Sequence, residues 1–152
     1  MDVTIAIESP RQADIAALIA DLDRWNDNLY PPEASHLLSL DELDVPEVRF
    51  LVARLDGRPV GCGALWVHAG DWGEVKRMYA SPSARGQGVG YRLLAEIERL
   101  ARAERLGVLR LETGDRSEEA LRLYSRAGFV HRGAYGAYKD HPASVFMEKR
   151  LA

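Results

Sequence analysis

Arg85-Gly86-Gln87-Gly88-Val89-Gly90 is the stretch on which the fold turns. Ahead of it, Val75-Lys76-Arg77-Met78-Tyr79-Ala80 reads as a strand and Ser81-Pro82 as its break. Behind it, Leu93, Leu94, Ile97, Leu100 and Ala101 form one stripe of a helix running to about Arg105, a face that packs on a sheet. A glycine-rich turn that opens a helix presents backbone N–H groups with no side chains in the way, at the positive end of the helix dipole. That combination suits a phosphate or pyrophosphate. The register is G-x-G-x-G and no Gly-Lys-Ser/Thr follows, so neither a dinucleotide fingerprint nor a Walker loop is present. Taken alone, the glycines also fit a tight turn that binds nothing.

Working outward, residues 3–7 alternate as a first strand. Ser9-Pro10-Arg11-Gln12 then signals a helix start, with Ser9 as cap and proline in the first turn. Ile15, Leu18, Ile19 and Leu22 continue that helix, and residues 25–32 read as irregular because Pro31-Pro32 interrupts it. A shorter helix is expected within residues 33–43. Residues 48–55 and 60–68 form a hairpin about Asp56-Gly57, with Gly61 and Gly63 marking close packing or a bulge. Residues 74–80 supply a third antiparallel strand. After the long helix, Gly107 is expected to end it, and residues 108–113 return as a strand parallel to a neighbour. Asp115-Arg116-Ser117-Glu118 opens a last helix closed by Gly128, and residues 129–131 and 144–149 are the final strands. The order β-α-α-β-β-β-α-β-α-β-β is α+β.

The chain has 152 residues, the size of one domain, with a core sufficient to fold without staples. A formal net charge of −3 argues against a nucleic-acid partner held by a broad basic field. The single cysteine, Cys62, excludes an intrachain disulfide and a multi-cysteine metal site within one chain, and reads as a small buried strand residue. His36, His68, His131 and His141 lack metal-ligand spacing, so no metal is expected. The longest charge-free apolar stretch, residues 59–70, is too short for a bilayer, and Met1-Asp2-Val3-Thr4-Ile5 lacks the regions of a signal peptide. A cytoplasmic protein with no membrane association is the expectation.

The larger context resembles the GNAT superfamily of acyl-CoA N-acyltransferases. Arg85, Gly88 and Gly90 fit that family's Arg/Gln-x-x-Gly-x-Gly/Ala pyrophosphate motif. Ala120, Tyr124, Gly128 and Phe129 fit its second signature, and the order of elements matches over essentially the whole chain, residues 1–152, as one domain. Tyr30-Pro31-Pro32-Glu33, Gly61-Cys62-Gly63-Ala64-Leu65 and Glu74-Val75-Lys76-Arg77-Met78 look like a bacterial subgroup of short single-domain members. The resemblance implies a mostly antiparallel mixed sheet of six to seven strands, helices on both faces, and a splay between the fourth and fifth strands.

It also implies acetyl-CoA as donor. Backbone N–H groups of Gly86, Gln87, Gly88, Val89, Gly90 and Tyr91 would hold the pyrophosphate, with Arg85 adding a charge-assisted contact. The pantetheine arm would pair with Met78, Tyr79 and Ala80, and an amide there would stabilise the oxyanion. Glu74 is the candidate base, because the histone-acetylating branch carries a base glutamate at the equivalent place; a solvent-facing strand end, or a partner of Lys76 or Arg77, is the alternative. The period-two rule sets Glu74 on one face with Lys76, Met78 and Ala80. Tyr124 is the candidate acid for the leaving thiolate, or a core residue beside Ala120 and Ala127. Many relatives carry Asn where Ser117 stands, so Ser117 caps the last helix, binds CoA more weakly, or does neither.

The acceptor expected is a small-molecule primary amine, attacking directly in a ternary complex. Protein N-terminal or lysine acetylation is the first alternative and a non-catalytic acyl-CoA sensor the second. Residues 25–36, Lys76 with Arg77, and residues 133–144 are the stretches that would line an acceptor pocket. A pocket closed by Tyr30 and Tyr138 would favour a small amine, and an open groove a peptide. Trp66 and Trp72 read as core or interface residues, the charges of the long helix as a solvated face, and the last strands as an edge for a homodimer.

Overall fold

The computed structural model describes residues 3–84 and 86–151; Arg85 lies outside the described residues. The chain runs β1 (Val3–Ile7), α1 (Ala13–Leu29), α2 (Leu40–Leu43), β2 (Val48–Leu55), β3 (Arg58–His68), β4 (Trp72–Ala80), α3 (Val89–Ala103), β5 (Val108–Gly114), α4 (Glu118–Arg126), β6 (Val130–Arg132) and β7 (Ser144–Arg150). The seven strands form one sheet in the order β1-β2-β3-β4-β5-β7-β6. Only β4 and β5 pair in parallel. The expected mixed, mostly antiparallel sheet with helices on both faces is the one observed.

Each face has its own core. On one, Leu93, Leu94, Ile97 and Ala101 of α3 meet Leu51, Leu65, Val75, Leu109 and Leu111, with Tyr124 of α4 and Phe129 alongside. On the other, Ile15, Leu18 and Leu22 of α1 meet Phe50, Val52, Cys62 and Ala64. Leu93 and Ile97 are fully buried; truncating either to alanine would cost roughly 2–5 kcal/mol.

Several boundaries differ from the sequence expectation. Helix α1 starts after Gln12 instead of Ser9, because the Ser9 hydroxyl is taken by the Arg11 amide, 3.1 Å away, in a local turn. It continues through Trp25 to Leu29, and the chain turns extended at Tyr30, ahead of Pro31. The left-handed residue after α3 is Arg105, not Gly107.

The most consequential departure lies in β4. Ala64 pairs with Lys76 and Cys62 with Tyr79, so Gly63 faces two residues, Arg77 and Met78. Arg77 occupies this bulge with φ of 55°, a conformation costing about 1–3 kcal/mol for a residue with a Cβ. Its guanidinium donates to the Leu38 carbonyl at 2.6 and 2.9 Å and pairs with Asp23, which anchors the bulge on the α1 side. Alternation therefore restarts at Met78, which packs with the α3 core while Tyr79 packs with the α1 core. The period-two grouping of Glu74 and Lys76 with Met78 is overturned by that extra residue. Gly63 opposite it leaves room for Met78: a Cβ there would lie 2.6 Å from Met78 Sδ and push that side chain aside.

Candidate functional site

Pairing between β4 and β5 runs from Trp72↔Val108 to Val75↔Leu111 and then stops. Beyond it the strands part. Among the described residues no β4–β5 register pair follows Val75↔Leu111. A cavity of about 90 Å³ occupies the opening. It is walled by Lys76, Arg77 and Met78 of β4, by Glu112, Thr113 and Gly114 of β5, by Tyr30 from the α1 side and by Tyr124 from the other. Side chains from both faces of the sheet thus meet in one gap.

At the glycine loop, Gly86 and Gly88 have φ of 81° and 68°, and a Cβ on either would meet nothing within 4 Å. The first helical bond of α3 is Arg92 N–H to Gly88 O. The amides of Val89, Gly90 and Tyr91 have no acceptor among the described residues, and Gly88 caps the helix without a side chain. The Tyr91 side chain is exposed. The loop is an open set of donors at a helix N-terminus, which fits a pyrophosphate.

Tyr124 is 4 % exposed, edge-on to Phe129 at 5.8 Å between ring centroids. The core reading of it is met, and the residue also lines the gap. Burial pushes its phenol above the ordinary tyrosine value. Ser117 sits at the head of α4 but makes no capping bond. Its hydroxyl is 2.8 Å from Tyr30 Oη, which also accepts from the Arg116 amide at 3.0 Å. Tyr30 lies so close over Gly114 that a Cβ there would be 1.9 Å from the Tyr30 hydroxyl. Of the three readings of Ser117, capping is excluded.

Glu74 is not a solvent-facing strand end. It is 2 % exposed, and its carboxylate is enclosed by donors. Oε1 faces His68 Nε2 at 3.0 Å. Oε2 accepts from Tyr135 at 2.8 Å and Tyr138 at 2.5 Å, with Lys76 Nζ at 3.6 Å. Lys76 Nζ also donates to the Tyr138 hydroxyl at 2.6 Å and to the His36 carbonyl at 2.8 Å. Burial lowers the Lys76 ammonium from its ordinary value and raises Glu112, Tyr135 and Tyr138. The two cations of β4 are thus both engaged: Lys76 at Glu74, Arg77 at Asp23. Cys62 is fully buried, its thiol donating to the Arg77 carbonyl at 3.3 Å and pushed up to about 12 by burial, so it is no nucleophile.

A second cavity, of about 740 Å³, lies behind Tyr138. Trp66, His68 and Trp72 form one wall, Glu74 part of the floor, and residues 135–141 of the β6–β7 connection the other wall. The His68 ring stacks on Trp72 at 3.9 Å, and Trp72 meets Tyr135 edge-on at 5.6 Å. Trp66 and Trp72 are expected in the core or an interface; Trp66 packs against the α1-side core, and both line this cavity. His36 lines both cavities. The sequence placed it in a candidate acceptor stretch without singling it out. Among the described residues, no group of three or more His, Cys, Asp or Glu could hold a metal ion, and no helix is long and apolar enough to cross a membrane.

The model of the acetyltransferase (GNAT) family matches residues 15–129. An IAA acetyltransferase from Azospirillum brasilense is 50% identical over 151 residues, covering 99% of each chain. A crystal structure from Klebsiella pneumoniae, assigned as an acyl-CoA N-acyltransferase, is 39% identical with a TM-score of 0.83, covering 99% of this chain and 98% of that one. PaiA N-acetyltransferase from Thermoplasma acidophilum, solved in complex with coenzyme A, shares the fold at 20% identity and a TM-score of 0.74, covering 99% of both chains.

Proposed function

Since the chain belongs to the acetyltransferase (GNAT) family and is an N-acetyltransferase by that kinship, we propose that it moves an acetyl group from acetyl-CoA to a primary amine of a small molecule, in a ternary complex. The observation that carries this reading is the gap beyond Val75↔Leu111, where Lys76, Arg77 and Met78 of β4, Glu112 and Thr113 of β5, and Tyr124 surround one cavity. All 152 residues act as one catalytic domain, with no metal and no nucleic acid or membrane partner.

The open amides of Val89, Gly90 and Tyr91, at the head of the 86–91 turn in which the Gln87 amide already donates to the Ala84 carbonyl at 3.2 Å, bind the pyrophosphate, Arg85 adds a charge, and Met78, Tyr79 and Ala80 receive the pantetheine arm along the β5-facing edge of β4. An amide of that edge polarises the thioester carbonyl as negative charge develops on its oxygen. Ser117 stays with Tyr30 and shapes the gap. The amine nitrogen adds to the carbonyl carbon and its surplus proton leaves toward Glu74. Because Tyr135, Tyr138 and His68 already occupy that carboxylate, the proton passes through the Tyr138 hydroxyl, which gives its own proton to Glu74 Oε2. When the carbon–sulfur bond breaks, Tyr124 supplies a proton to the thiolate; its raised phenol keeps that proton until then.

Two features favour a small acceptor over a peptide. Tyr30 is tied down across Gly114, and Tyr138 is tied to Glu74 and Lys76, so both tyrosines close the space between α1 and the β6–β7 connection. The relative at 50% identity is named for acetylation of IAA, which agrees with a small acceptor.

The test is thiol release from acetyl-CoA against amino acids, arylalkylamines, polyamines, aminoglycosides and peptides. Acceptor-dependent release with at least one small amine is expected. Acetyl-CoA binding with release on peptides alone would replace the small-molecule reading, and no release with any acceptor would leave the sensor reading in its place.

A further inference from the structure

The two cavities differ in kind. The gap between β4 and β5 is small and polar-edged. The cavity behind Tyr138 is about eight times larger, within the range of small-molecule sites, and six of its residues are aromatic or imidazole rings packed on one another: His36, Trp66, His68, Trp72, Tyr135 and Tyr138. Its one buried carboxylate is fully engaged by protein donors, and the charged residues Lys139 and Asp140 that also line it are exposed to solvent. Rings of this kind gain most from a flat apolar partner.

Where the cavities meet stands His36. Its ring is edge-on to Tyr138 at 5.0 Å. Its Nε2 is buried and has no hydrogen-bond partner among the described residues, a state that is unfavourable unless something fills it. Burial and the nearby Lys76 ammonium lower its pKa, which keeps the imidazole neutral. Neighbouring donors are committed elsewhere: Lys76 to the His36 carbonyl and Tyr138, and Tyr138 to Glu74.

We propose that the acceptor is an arylalkyl amine: its ring fills the aromatic cavity, a polar atom of the ring or arm bonds His36 Nε2, and its amine reaches past His36 into the gap between β4 and β5. This rests on the acetyltransferase reading above and adds the class of acceptor. The aliphatic arm spans the point at which His36 borders both spaces, and the amine arrives beside the Tyr138 hydroxyl. Chemically the step is the one already described, with the arylalkyl amine's N–H lost as its N–C bond to the acetyl group forms and the CoA thiolate departs.

The experiment pairs kinetics with binding. Thiol release is measured for phenethylamine and tryptamine against straight-chain amines of equal arm length, in the intact protein and in His36→Ala and Trp66→Leu variants whose melting curves verify folding. A kcat/KM at least tenfold higher for the aryl series is expected, with Trp66→Leu losing about tenfold for that series through KM, His36→Ala losing about tenfold for tryptamine, whose indole N–H can bond Nε2, and both losing little for straight-chain amines. Equal turnover of the two series, or variants that leave aryl KM unchanged, overturns the proposal. Quenching of tryptophan fluorescence by tryptamine-free phenethylamine titration reads the cavity without turnover. Saturable quenching lost in Trp66→Leu with no acetyl transfer to any amine would retain the aromatic site while refuting the acetyltransferase reading; no quenching in a protein that acetylates other amines would refute only the acceptor class.

Discussion

Tyr138 Oη donates to Glu74 Oε2 at 2.5 Å, across 64 residues of chain. The tyrosine arrives from a connection with no regular structure and the glutamate from the middle of the sheet, so the proposed base is completed by a loop. Glu74→Gln is expected to lower kcat by roughly 10²–10⁴-fold, the usual worth of a positioned base. The loss should be greatest at low pH, where fewer amines are free to attack unaided. A rate unchanged across the pH profile would make Glu74 structural. Tyr138→Phe should lose rate in parallel while leaving acetyl-CoA affinity intact.

The loop before α3 makes a separable prediction. Gly88→Asp adds a carboxylate in open space, at a φ of 68° that Asp tolerates better than most residues. Repulsion at the pyrophosphate should abolish acetyl-CoA binding in calorimetry while thermal stability stays within a few degrees. Gly90→Asp should do the same, with a small added cost because its Cβ would lie 3.3 Å from Leu123. Wild-type affinity in either folded variant would remove the loop from the donor site.

For Tyr124→Phe, the ring stays and only the hydroxyl goes. Turnover should fall about 10- to 100-fold with donor affinity unchanged, read by comparing kcat with the acetyl-CoA dissociation constant. An equal fall in both would mark the hydroxyl as a binding contact.

Glu112 gives a stability prediction whose sign follows from burial. Its folded pKa is raised above 4.5, chiefly by desolvation. Between that value and the raised one the native state holds the proton more tightly than the unfolded chain, so stability falls as pH rises through this window. Above the window the penalty is complete. Glu112→Gln removes it, and should melt about 2–4 °C higher than the parent at neutral pH. The difference should vanish below about pH 4, where the carboxyl is protonated in both states. Differential scanning calorimetry over that range reads it directly.

Much of this was legible in the chain. The element order, the sheet type, the glycine loop and Tyr124 follow from periodicity, punctuation and the family's two signatures. What escaped depends on three-dimensional register. Nothing about Arg77 announces a left-handed residue, since arginine carries no such preference; only Gly61 and Gly63 on the facing strand hinted at an irregularity. Trp66 and Trp72 looked like core because large aromatics usually are; Trp66 does pack against the α1-side core, but both also line the second cavity. Glu74 was found by analogy, but its donors could not be: Tyr135 and Tyr138 lie in a loop whose path no spacing predicts. Ser117 is similar, since its partner Tyr30 is 87 residues away.

Arg77 can be counted as surplus to the sheet. Lys76 already faces α1, Met78 faces α3 and Tyr79 faces α1 again, the sequence of faces a strand would show if residue 77 were cut out. A single-residue deletion there should leave its neighbours on their present sides and still permit pairing with β3. What vanishes is the bend in the strand and its tether to Leu38 and Asp23. A deletion variant that folds and melts normally but no longer turns over would separate the architecture from the catalyst by one amino acid.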